Sequence, residues 1–298
     1  MSPRRAAWAA LAVLLALAGC GGKKEAPIVV GSKNFSEQVV LGELLAQQIE
    51  TQTPLEVDRR FFLGGTYVAH QALISGRVDV YVEYTGTALT VILNQPVVSD
   101  AATAFQQVKD GYAAKFGLHV APSLGFENTF AMVIRGQDAR KLNLRTLSDA
   151  VKHTPEWRAG FGYEFLERPD GYPGLAEAYG LHFGTKPRIM DLGLLYRALA
   201  DRQVDLVAGN STDGAIKALD LAVLEDDRRF FPPYEAVPIV RGATAQAHPE
   251  VVAALEKLAG KISAEEMQRM NYAVDGQGQD VAQVVRDFLQ TLGLGGAK

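Results

Sequence analysis

The sequence predicts an α/β fold built as two similar lobes, and three observations predict it. A segment occurs twice: residues 72–89 read ALISGRVDVYVEYTGTAL and residues 198–216 read ALADRQVDLVAGNSTDGAI. Short apolar runs alternate with stretches of helical period, the pattern of mostly parallel sheets covered on both faces. Each copy of the repeat reads as a helix end, a buried strand and a polar turn that opens another helix. Ligands of open α/β sheets sit beyond the carboxyl ends of strands, where such turns lie. Two related turns about a hundred residues apart imply two lobes sharing one cleft.

The repeat aligns without a gap. Ala72, Leu73, Val78, Asp79, Val80 and Thr85 fall on Ala198, Leu199, Val204, Asp205, Leu206 and Ser211. The two aspartates are read as braces of turns rather than as ligand contacts.

Taken in order, the chain opens on Arg4 and Arg5 and an unbroken apolar run over residues 6–18. That run is too short to span a bilayer as a stable helix and reads as a secretory signal. It ends Leu17-Ala18-Gly19-Cys20, similar to the lipobox of bacterial lipoproteins. The resemblance implies cleavage before Cys20 and lipid on its sulfur. Cys20 is the only cysteine, so no internal disulfide forms. Residues 20–27 then form a polar tether. Without residues 1–19 the chain keeps 28 basic against 34 acidic side chains, a net of −6. Nucleic acid demands a basic face, so it is not an expected partner.

Ile28 to Val30 reads as a strand, and residues 36–50 as an amphipathic helix. Val40, Leu41, Leu44, Leu45 and Ile49 lie on one face of it, with Val39 beside them. Leu55, Val57, Arg59 and Phe61 alternate as a second strand, and Gly64-Gly65-Thr66 turns into the helix of the first repeat. The helix over 101–115 stops at Gly117, a left-handed cap. Residues 129–134 are apolar and β-branched enough for a strand, and the second lobe repeats the alternation to Leu224. Ser263 and Glu266 form a capping box. Val281, Val284, Val285, Phe288, Leu289 and Leu292 make the packing stripe of the last helix.

Several chemistries are absent. There is no G-x-x-x-x-G-K-[ST] phosphate loop, so the chain is not expected to hydrolyse ATP itself. There is no G-x-S-x-G elbow, and no thiol beyond Cys20. The five histidines lack the close spacing of zinc sites, and no metal or cofactor is expected.

Five segments then carry a resemblance: Gly31-Ser32-Lys33-Asn34-Phe35-Ser36-Glu37-Gln38; Val80-Tyr81-Val82-Glu83-Tyr84-Thr85-Gly86-Thr87; Glu164-Phe165-Leu166-Glu167-Arg168-Pro169-Asp170-Gly171; Ser211-Thr212-Asp213-Gly214; and Phe231-Pro232-Pro233-Tyr234. In this order they resemble the substrate-binding proteins of osmoprotectant ABC importers, from about Ile28 to the end. The resemblance implies a two-lobed periplasmic-binding-protein fold of Venus-flytrap type II with two hinge crossings. Lobe I would take residues 28–122 and 227–298, and lobe II residues 123–226. It also implies a monomer, anchored to the membrane through lipid alone and facing the periplasm or exterior. Such a protein catches a quaternary-ammonium osmolyte and delivers it to a permease with its own ATPase subunit.

A trimethylammonium has charge but no N–H, so aromatic faces hold it, at roughly 0.5–2 kcal/mol per ring. By the resemblance, Tyr84 and Tyr234 match cage aromatics, Phe130 falls where relatives often have tyrosine, and Gln38 and Thr87 match donors to the ligand carboxylate. Glu83 and Asp213 would add negative field, with Lys33 pairing with either. One position departs: Asn210, the repeat partner of Tyr84, stands where many relatives have tyrosine. An amide there bonds a hydroxyl, carboxylate or ring nitrogen, which opens the ligand range to carnitine or a histidine-derived betaine such as ergothioneine. A binding protein for a polar amino acid or polyamine, and a periplasmic enzyme on the same scaffold, stay open as alternatives.

Overall fold

The computed structural model describes residues 26–296. The signal run, Cys20 and most of the tether lie outside the described residues.

Two five-stranded sheets have the same strand order. The first takes β1 (Ile28–Gly31), β2 (Val57–Arg60), β3 (Val80–Tyr84), β4 (His119–Val120) and, from far along the chain, β10 (Ala236–Val240). Its order is β2-β1-β3-β10-β4. The second takes β5 (Phe130–Arg135), β6 (Ala159–Phe161), β7 (Arg188–Ile189), β8 (Leu206–Asn210) and β9 (Leu221–Leu224), in the order β7-β6-β8-β5-β9. In each, four strands run one way and the fourth in the order opposes both neighbours. The alternation of the sequence accounts for the parallel part. The opposing strands come from the two crossings between sheets.

The repeat has the same local structure twice. Arg77 N and Val78 N donate to Ala72 O at 2.9 and 3.1 Å, and Gln203 N and Val204 N to Ala198 O at 2.9 and 3.3 Å. Asp79 Oδ2 accepts Val29 N at 2.9 Å, and Asp205 Oδ2 accepts Arg158 N at 3.0 Å, tying each repeat strand to the next one in its sheet. The other oxygen of each takes an arginine at the end of the fourth strand: Arg241 Nη2 to Asp79 Oδ1 and Arg135 Nη2 to Asp205 Oδ1, both 2.8 Å. Each aspartate is therefore a brace of its sheet.

Helix α1 (Ser36–Gln52) buries Val40, Leu41, Leu44, Leu45 and Ile49 completely. At about 1.5–3 kcal/mol per side chain, that face is a large part of the first core. α1 is buried beyond its apolar stripe because α5 (Ala264–Asp275) and α6 (Val281–Thr291) cover its other side. Before them come α2 (Thr66–Ile74), α3 (Ala101–Phe116) and α4 (Leu195–Ala200). Gly117, at φ 63°, ends α3 in the left-handed region, and the Ser263–Glu266 capping box opens α5.

The chain crosses between the sheets after β4 and again before β10, and the crossings pair with each other. Glu127 bridges Glu235, Asn128 N donates to Tyr234 O at 3.0 Å, and Ala236 N to Phe126 O at 3.1 Å. This paired ribbon brings the carboxyl ends of β3 and β8 to a common cleft.

Candidate functional site

A cavity of about 210 Å³ lies between the sheets. Tyr84, at the end of β3, faces it from one side, and Asn210, at the end of β8, from the other. Thr87 lines it from the turn after β3, Phe130 from the start of β5 and Tyr234 from the second crossing. Five of the six residues singled out from sequence thus meet at one surface. Gln38 does not line it. The first turn of α1 sets Gln38 behind the wall, where its Oε1 accepts Lys33 N at 3.3 Å.

The rings are packed edge to face. Phe130 lies 5.8 Å from Tyr234 at 80° and 4.8 Å from Phe165, while Phe35 stacks on Tyr84 at 6.5 Å. Gly86 makes room for Tyr234, since a Cβ there would stand 2.7 Å from the ring. Phe35, which also lines the cavity, was hidden inside the first quoted motif.

Two cations border the same space, each neutralised by a buried carboxylate. Lys33 Nζ bonds Glu83 Oε1 and lies 5.0 Å over the Tyr84 ring. Arg168 is held by Asp170, at 2.8 Å from Nε and 2.5 Å from Nη2, and its guanidinium lies 5.0 Å over the Phe130 ring. Burial alone would raise the Asp170 pKa, but Arg168, Tyr234 and Thr90 hold it below the usual carboxylate range. Arg168 Nη2 also donates to Thr87 Oγ1 at 3.1 Å. A guanidinium only donates, so the Thr87 oxygen accepts and its hydroxyl hydrogen is free for an anion in the cavity. Neither Lys33 nor Arg168 was assigned to the ligand from sequence. Their positions within the quoted motifs were the available signal.

The sheets are tied across the cleft at several points. Glu164 accepts Thr66 N at 2.8 Å, capping α2, whose own N-cap Gly65 has no side chain to do so. Asp170 accepts Thr90 Oγ1 at 3.0 Å and Tyr234 OH at 2.7 Å. Deeper in, Glu37 of α1 accepts Tyr84 OH at 2.6 Å, Asn128 Nδ2 at 2.7 Å, Asn271 Nδ2 at 2.9 Å and the Thr212 hydroxyl. Burial raises the Glu37 pKa, and these four bonds offset that only in part.

Asp213 follows the turn after β8. Burial, helped by Glu37 and Asp275, pushes its carboxyl up to about 7, against the bonds from Tyr196 and Asn210 N. The ordinary value is 3.8, so between about 4 and 7 the folded chain holds a proton that the unfolded chain has lost. Stability from this group therefore falls as pH rises through that window. Asp213→Asn keeps an acceptor and removes the titration. Its melting temperature relative to wild type is expected to climb from pH 5 to pH 8, and a constant difference would refute the assignment.

Comparison with known proteins finds relatives along most of the chain. Residues 26–291 match the family described as the substrate binding domain of ABC-type glycine betaine transport systems. The chain is 38% identical over 276 residues to the carnitine transport binding protein OpuCC of Listeria monocytogenes, covering 92% of this chain and 89% of that one. It is also 38% identical over 272 residues to the ergothioneine transport permease/ergothioneine binding protein EgtU of Helicobacter pylori, covering 91% of this chain but 48% of that longer protein. A crystal structure of a glycine betaine/carnitine/choline ABC transporter superposes with a TM-score of 0.75 at 37% identity, covering 90% of this chain and 99% of that one.

Proposed function

This chain belongs to the family of substrate-binding domains of ABC-type glycine betaine transport systems, and on that premise we propose that it captures a quaternary-ammonium osmolyte in the cleft and hands it to an importer. The observation that carries this reading is the meeting of aromatic rings from both sides of the cleft next to two buried, paired cations. The trimethylammonium head would sit among Tyr84, Phe130, Tyr234 and Phe35, whose ring faces attract charge without needing a hydrogen bond. The carboxylate would point to Thr87, Lys33 and Arg168. Because Glu83 and Asp170 already balance them, Lys33 and Arg168 would donate to the anionic end without repelling the head.

Closure follows from the same contacts. Open and closed forms interconvert by hinge motion at the paired crossings, and a ligand touched by both lobes favours the closed form. Lobe I would be residues 28–122 with 227–298, and lobe II residues 123–226. Delivery would be to a permease powered by a separate ATPase subunit. Among the described residues no helix is long and apolar enough to cross a membrane, and in this reading a lipid on Cys20 holds the protein beside its permease.

Calorimetric titration of the chain from Ala26 onward with glycine betaine, choline and carnitine tests the reading. Dissociation constants around 1 μM, about −8 kcal/mol, are expected for at least one of them. No heat with any of the three would sink it. In the full-length protein the anchor is read by incorporation of labelled fatty acid, which Cys20→Ala should abolish.

A further inference from the structure

Asn210 faces Phe130 across the antiparallel ladder of β5 and β8. Directly opposed residues of such a pair carry their side chains on one face, about 5 Å apart. The amide thus stands beside a cage ring, and both line the cavity.

The amide has one possible orientation. Its Nδ2 donates to Asp213 Oδ2 at 3.3 Å, and the same oxygen takes the Tyr196 hydroxyl at 2.5 Å and Asn210 N at 2.9 Å. With Asp213 ionised, turning the amide over would set oxygen against oxygen. Tyr196 reaches this point because Gly209 leaves it room: a Cβ at 209 would lie 1.8 Å from the tyrosine hydroxyl. With one N–H of Nδ2 held by Asp213, the amide is oriented so that Oδ1 is its accepting group toward a ligand, and an amide oxygen only accepts. Oδ1 offers no donor to a ligand carboxylate, which instead finds donors in Thr87, Lys33 and Arg168.

We propose that Asn210 Oδ1 is a specificity-determining acceptor, held in place by Asp213 and Tyr196, that selects quaternary amines bearing a hydroxyl or ring N–H donor near the trimethylammonium head. The proposal rests on reading the cavity as a cation cage. A ligand without the donor leaves the acceptor unpaired in a confined site, and sites built to bond a donor discriminate against analogues that lack it.

Two matched pairs of probes test it by calorimetry. L-Carnitine and γ-butyrobetaine share length and charges and differ by one hydroxyl. Ergothioneine and its derivative methylated at both ring nitrogens differ in N–H donors. The donor-bearing member of at least one pair is expected to bind wild type fivefold or more tighter, and the preference should drop below twofold in Asn210→Leu. Asn210→Ala serves if the leucine variant does not fold. Asp213→Ala, which frees the amide to turn, should reduce the same ratio. Equal affinities within both pairs, or a preference that survives both Asn210 variants, would overturn the proposal and leave the cation cage intact. Failure of every probe and of glycine betaine to bind wild type would overturn the cage reading itself.

Discussion

Tyr84→Ala is expected to weaken quaternary-amine binding at least tenfold, a loss of about 1.4 kcal/mol or more, while the protein stays folded. The ring is 4% exposed, stacks on Phe35 and lines the cavity, so its removal takes away one attracting face and enlarges the cage. A second consequence has to be separated from this one. The Tyr84 hydroxyl is one of four donors to Glu37, and losing it leaves a buried carboxylate short of a partner at a cost of roughly 1–3 kcal/mol of stability. Tyr84→Phe separates the two: it should lower stability by that amount yet hold ligand within about threefold of wild type, because the ring quadrupole remains. Titration of both variants decides. Wild-type affinity in Tyr84→Ala would remove this ring from the site.

The largest effect on stability is expected from Asp170→Asn. Asp170 is completely buried, receives two bonds from Arg168 and takes Tyr234 OH and Thr90 Oγ1 as well. Neutralising it strands a guanidinium that is itself 7% exposed. Removing one partner of such a pair costs about 3–5 kcal/mol, more than the pair contributes against an apolar replacement. Chemical denaturation should show that loss for Asp170→Asn, with partial recovery in Arg168→Leu/Asp170→Leu. The sign with pH follows from the depressed Asp170 pKa: its stabilisation is present above the ordinary value of 3.8 and is lost as pH falls through the lower folded value. Wild type and Asp170→Asn should therefore converge in stability at strongly acidic pH. A variant as stable as wild type at pH 7 would show that the pair is dispensable.

Much of the fold was legible because local signals and tertiary structure agree. The repeat reads as one hydrogen-bonding pattern used twice, and the Gly117 and Ser263 caps are where turn chemistry puts them. β10 was not legible. Pro238 interrupts its apolar run, and proline argues against a central strand. The structure accommodates it because the Pro238 carbonyl accepts Ala121 N at 2.9 Å on the side where the short β4 has already ended. The site was legible only through its aromatics and its resemblance to a family. Lys33 and Arg168 are ordinary residue types 135 positions apart in the sequence, and nothing in local pattern reports that they face one cavity. Gln38 shows the same limit from the other side. Adjacent residues of a helix point about 100° apart, so sharing a motif with Lys33 did not give it a place on the cavity wall.

The aspartate braces lie at one end of β3 and β8, while Tyr84 and Asn210 lie at the other, some five residues or about 16 Å along an extended strand. Substitutions that far apart with no shared partner combine nearly additively. Each strand thus carries its sheet brace at one end and its cleft residue at the other, so a substitution at the cleft end leaves the aspartate joint of its own sheet untouched. Duplicated architecture becomes a reserve of tolerance: one half can drift toward a new solute while the other keeps its grip on the old one.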